Sequence, residues 1–152
     1  MTGPVAFIFY AIPFYFENYI SVLKLSGIIS IWIACIATYE ISIKLFGKSA
    51  GIFPSIGLAI ITSSEESFLT SEVEIFILPF LSLYIYFIFN DFLRSRIMHI
   101  ILAALSISLA TLMRPSMGLI ALLGTFVFLF SYENKIQKTF IYIISGLTPL
   151  VI

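Results

Sequence analysis

Apolar residues run along this chain in long blocks, and the blocks break where charged residues fall. None of the long blocks alternates in the strand manner. An α-helix rises about 1.5 Å per residue, so roughly 20 apolar residues cross a hydrocarbon layer about 30 Å thick. On that measure the pattern predicts membrane helices over 20–43, 49–62, 73–90, 97–113, 117–131 and 140–152, all within a single transmembrane domain over 1–152. The first block, 3–19, has an apolar part, 5–16, only about 18 Å long as a helix, which carries Pro13 and is followed by Glu17 and Asn18. It suits a helix lying in the interface, or an outer loop. Within 20–43, Lys24 lies near one end, where it can snorkel, and Glu40 near the other. The 49–62 block is short and contains Pro54, while Gly51, Ser55 and Ala59 share one face on which a neighbouring helix can approach closely. Pro79 predicts a kink in 73–90, because proline removes a backbone donor. Arg114-Pro115 divides the next two spans. The fold class is therefore all-α: an integral membrane, polytopic helix bundle.

Composition strengthens this picture. The chain is 61% hydrophobic and 11% charged, with 16 Phe and 8 Tyr, against about 25% charged in an ordinary soluble domain. Its mean hydropathy is +1.12. Net charge is zero and there is no basic block, which excludes a nucleic-acid partner. Cys35 is the single cysteine, so there is neither a disulfide framework nor a metal-binding spacing. The N-terminus has no basic region before its apolar block and does not read as a cleavable signal. If the segments alternate, Lys44, Lys48, Arg94, Arg96, Lys135 and Lys138 share one side, and only Lys24 and Arg114 lie on the other. The positive-inside rule makes the first side cytoplasmic and the acidic loop 63–72 extracytoplasmic, in a plasma (inner) membrane. His99, beside Arg96, reads as an interfacial polar residue rather than a ligand.

Candidate chemistry gathers on the outer side. Glu65, Glu66, Glu72 and Glu74 crowd into one short stretch between two apolar blocks. Ser71-x-x-Glu74 has the spacing of a capping box, and carboxylates in a first helical turn suit the positive end of the helix dipole. Charged side chains at the rim of a membrane bundle are otherwise kept where they face water or a partner. Glu72 and Glu74 are roughly 200° apart around a helix, so both cannot face one cavity. Arg114 poses the same choice between a snorkelling loop residue and a fixed cation for phosphate, for which the planar guanidinium is suited.

Four stretches resemble the polytopic glycosyltransferases of the GT-C type. "GPVAFIFYAIPFYF" at 3–16 is similar to the end of their first outer loop, and "LFGKSAG" at 45–51 to a short cytoplasmic turn. "SEVEIFILPFLSLYIYF" at 71–87 resembles the helix that follows, and "ISLATLMRPSMGLIALL" at 107–123 a helix end and restart with a basic residue at the break. The order and spacing match over nearly the whole chain, and the nearest groups are the protein O-mannosyltransferase-like and lipid A aminoarabinose transferase-like enzymes.

The resemblance implies a hexosyl- or pentosyltransferase that moves a sugar from a polyprenyl-phosphate carrier to an acceptor hydroxyl on the extracytoplasmic face. Its partners are the lipid bilayer, the lipid-linked sugar donor and a glycan, lipid or protein acceptor. By residue match, Glu74 corresponds to a second acidic residue of the family, with Glu72 the alternative, and Arg114 to the basic position. The resemblance allows for a divalent cation, but this chain supplies no ligand set for one. The family's principal base lies after a first helix that would precede Met1, and Thr2-Gly3 stands where many relatives carry lysine before the proline. The chain is therefore expected to be an N- and C-terminally incomplete part of such an enzyme, inactive alone. The alternative reading is a non-enzymatic polytopic protein, a transporter segment or assembly subunit.

Overall fold

The structure, a computed structural model, describes residues 4–64, 73–94, 96–131 and 135–151. All regular structure among these residues is helical. The chain begins with α1 (Pro4–Ala11) and a 3-10 turn (Ile12–Tyr15), then α2 (Tyr19–Phe46) and α3 (Lys48–Ser64). Next come α4 (Val73–Arg94) and α5 (Ile97–Met113), a second 3-10 turn (Pro115–Met117), α6 (Gly118–Ser131) and α7 (Lys135–Val151). Two of these, α2 and α4, are long and apolar enough to cross a membrane by length and composition. Helices α3, α5 and α7 have 17 residues each and α6 has 14.

The α2–α3 hairpin turns on one residue. Gly47 adopts φ +85°, a conformation that side chains with a Cβ rarely take, and its N–H donates to Ile43 O at 2.9 Å. Just beyond it, a Cβ on Gly51 would lie 2.9 Å from the Ile43 backbone nitrogen, so only glycine lets the two helices meet this closely. Ser55 continues the contact, its carbonyl facing Cys35 Sγ at 3.7 Å. The small-residue face expected on this helix is thus the one turned to α2.

Helix α2 is arranged inside out relative to a soluble helix. Its buried positions are Gly27, Ser30, Ala34, Ala37 and Ser42, while Ile28, Ile36 and Trp32, the last 69% exposed, point outward. Small residues inside allow close backbone approach, and the large apolar ones are left for another apolar medium. Helix α5 sits at the centre, packed on α4, α6, α7 and α1, and buries Ala103, Ala104, Ile107, Ala110 and Met113. Three hydroxyls inside the bundle are satisfied locally: Ser30, Ser106 and Thr111 donate to carbonyls one turn back. Ser108 instead crosses to Gly146 O at 2.6 Å and ties α5 to α7. Midway along the bundle, Tyr84 of α4 and Tyr142 of α7 meet over α6, their hydroxyls donating to Ile120 O and Ala121 O. Gly124 provides the space, because a Cβ there would run into both phenol oxygens.

Candidate functional site

Arg114 is placed by the break between α5 and α6. Pro115 disfavours helical geometry in the residue before it, and Arg114 is extended, at φ −142° and ψ 107°. Its N–H donates to Ala110 O and its carbonyl accepts from Met117 N, both at 2.9 Å, so the backbone is pinned on either side of the break. Its side chain reaches Glu74, the second residue of α4, and the guanidinium Nη1 donates to Glu74 Oε1 as an ion pair. Both side chains are 44% exposed. Two residues 40 positions apart, each a candidate on sequence grounds, are thus brought into direct contact. Glu72, Glu65, Glu66 and the proposed cap residue Ser71 lie outside the described residues.

An apolar groove of about 270 Å³ opens beside the same break, between α5, α6 and α7. Thr111 and Gly118, one turn to either side of Arg114, line it together with Leu122, Tyr142 and Gly146. Beyond the pair, the first short helix and its 3-10 turn lean on α5 and α2, with Phe7, Phe14 and Tyr15 exposed.

The opposite end of α4 holds a second polar group that the sequence pattern did not single out. Asp91 is fully buried, and its Oδ2 accepts from Lys138 Nζ of α7 at 3.0 Å. Lys44 of α2 donates to Asn90 Oδ1 at 2.7 Å and lies 4.8 Å above the Tyr86 ring. His99 stacks on Phe87, and its Nδ1, like Asp91 Oδ1 and Thr139 Oγ1, is buried with no hydrogen-bond partner among the described residues. A signal for this pair did exist in the sequence. An acid in a helix's last turn and a base in a first turn both oppose their own helix dipole. Each needs a compensating neighbour.

The chain matches the model of the dolichyl-phosphate-mannose-protein mannosyltransferase family over residues 2–152. It belongs to that family. The resemblance to GT-C enzymes carried by the four stretches is thereby supported, and the chain is a membrane protein of glycosyltransferase type. Neither a curated protein nor a solved structure matches it. For a divalent cation the described side chains of this end are a poor fit. No group of three His, Cys, Asp or Glu gathers among the described residues, and the Glu74 carboxylate is already held by a guanidinium that would repel a cation.

Proposed function

We propose that this chain forms part of a polytopic glycosyltransferase that moves a sugar, mannose by family membership, from a polyprenyl phosphate to an acceptor hydroxyl on the extracytoplasmic side. In this reading α2 to α7 cross the membrane. The Glu74–Arg114 end faces outward, and the Lys44, Arg96 and Lys138 end faces the cytoplasm. The six-to-two division of basic residues supports that orientation. So do the large apolar side chains left on the outside of the bundle, among them Trp32, Phe53 and Phe126. Along α4 the two ion pairs are about 25 Å apart, comparable to a hydrocarbon layer of about 30 Å.

The observation that carries the reading is the meeting of Glu74 and Arg114 at one water-accessible end. In the transfer, the acceptor oxygen bonds to the anomeric carbon as the bond from that carbon to the carrier phosphate breaks. The phosphate leaves as an anion and needs little acid help. A carboxylate takes the acceptor proton, and a cation stabilises the charge growing on the phosphate. Glu74 is assigned a second, assisting role in accepting that proton beside the family's principal base, with Glu72 the alternative, and Arg114 is assigned the phosphate. The same ion pair would also serve a non-enzymatic membrane protein as a fastening between α4 and the helix break, so the assignment turns on activity.

Glu74→Gln introduced at the native locus is expected to cut transfer of labelled mannose in isolated membranes by about 100-fold or more. Protein levels should be unchanged. Wild-type transfer by that variant would remove Glu74 from the reaction. Orientation has its own test in a Cys35→Ser background. A membrane-impermeant thiol reagent added to intact cells should label Ser116→Cys and leave Ser49→Cys unlabelled; the reverse pattern inverts the proposed topology.

A further inference from the structure

We infer that the Glu74–Arg114 ion pair is a resting contact which a phosphate-bearing ligand replaces, taking Arg114 for itself and releasing the Glu74 carboxylate. The inference rests on the proposed assignment of this end as the donor site, and it adds a coupling: the proton acceptor is freed only when the donor phosphate is bound.

Three features of the site point this way. First, both side chains are 44% exposed, so an anion arriving from water can reach the guanidinium without unpacking the bundle. Second, neither charge depends on the other. Glu74 lies in the first turn of α4, where the helix dipole favours a carboxylate. Arg114 caps the carbonyl end of α5, where the dipole favours a cation. Separating them leaves Glu74 at a favourable helix end and Arg114 at the favourable end of α5, offset in part by the 3-10 turn it also precedes. Third, the Arg114 backbone is fixed by bonds to Ala110 and Met117, so the side chain keeps its anchor point while its anionic partner changes. A phosphate can offer the guanidinium a forked, bidentate contact, whereas Glu74 meets it through a single oxygen. While Glu74 Oε1 accepts a hydrogen bond from Arg114, that oxygen is unavailable to an acceptor hydroxyl. Exchange removes the conflict between the two proposed roles.

The test uses the purified chain in detergent, with a short-chain prenyl phosphate as the probe, inorganic phosphate alongside it and the prenyl alcohol as a control. Three results are expected. Glu74→Gln binds prenyl phosphate roughly two- to five-fold tighter than the native chain, the factor corresponding to loss of a competing exposed ion pair. Arg114→Gln loses the binding. Prenyl phosphate also accelerates modification of Glu74 by a hydrophobic carbodiimide, read by mass spectrometry, although a ligand ordinarily protects the residues around it. This last measurement needs no variant and separates exchange from a general relief of charge repulsion. Glu74→Asp, which shortens the arm while keeping its charge, should bind with intermediate affinity and guards against a folding defect in the glutamine variant. Unchanged or slower modification with the probe bound overturns the inference, as does equal or weaker binding by Glu74→Gln. Acceleration by inorganic phosphate too would support exchange and place recognition in the phosphate; acceleration by prenyl phosphate alone would support it and make the lipid part of the recognised ligand. If exchange is observed but Glu74→Gln transfers mannose normally, the exchange stands and the transferase assignment of Glu74 falls.

Discussion

Helix α4 carries an ion pair near each end, and the two are built on opposite principles. Glu74 and Arg114 are both 44% exposed, and each sits at the end of its own helix that favours its charge. Asp91 is fully buried and Lys138 is 8% exposed. Asp91 lies in the last turn of α4 and Lys138 in the first turn of α7, each at the end that opposes it. They are stabilised crosswise: the aspartate faces the positive end of α7, and the lysine the negative end of α4. The exposed pair can therefore part at little cost, whereas the buried pair cannot. Burial and helix ends, rather than residue type, decide whether a salt bridge fastens a fold or remains open to exchange.

The comparison is broken most forcefully at the buried pair. Removing one partner strands the other charge in the interior, which typically costs about 3–5 kcal/mol. Asp91→Asn or Lys138→Met should therefore unfold in detergent at markedly lower temperature than the native chain. The double variant Asp91→Leu/Lys138→Met should regain most of the loss, because an apolar pair of similar size leaves no uncompensated charge. Single variants as stable as the native chain would show that the pair does not hold α4 to α7. The next largest effect is expected midway along α6, where it faces Tyr84 of α4 and Tyr142 of α7. Gly124→Ala pushes a methyl group into the Tyr84 and Tyr142 hydroxyls, an overpacking worth about 1–3 kcal/mol. Adding Tyr84→Phe removes one of the obstructing oxygens and should recover part of that loss in the same thermal assay. A Gly124→Ala protein with native stability would mean that α6 shifts freely against α4 and α7.

The unequal visibility of these two ends in the sequence has a physical origin. The helical class was legible because the apolar blocks are long and lack two-residue alternation, and because breaks such as Gly47 and Arg114-Pro115 carry their own local chemistry. Glu74 and Arg114 stood out individually, since a charge at the mouth of an apolar helix needs a reason. Alternation of the spans put both on one side, but their direct contact did not follow, because a linear pattern leaves open how closely the start of α4 and the end of α5 pack. Glu72, the alternative, falls outside the described residues and stays a sequence-level candidate. Asp91 and Lys138 were hidden for another reason. Basic residues at one end of a bundle satisfy a topology rule, and that explanation conceals a lysine, Lys138, whose burial requires an acid. The useful signal was polarity relative to the helix dipole, which depends on knowing where each helix begins and stops.

The smallest effect is the one that sharpens the comparison most. An exposed ion pair contributes about 0–1 kcal/mol, so Glu74→Gln, Arg114→Gln and their double variant should all melt close to the native chain. The informative quantity is the coupling between the two substitutions and its response to salt. Raising ionic strength from about 0.1 to 1 M shortens the screening length from about 10 Å to about 3 Å. The Glu74–Arg114 pair is 44% exposed, so its coupling should be small at low salt and vanish at high salt. Asp91 is fully buried, so the corresponding cycle with Lys138 should give a larger coupling that salt leaves nearly unchanged. A salt-resistant coupling between Glu74 and Arg114 would place that pair in a drier setting than its exposure implies. It would then be a fastening like its counterpart at the other end, and a phosphate would have no easy route to the arginine.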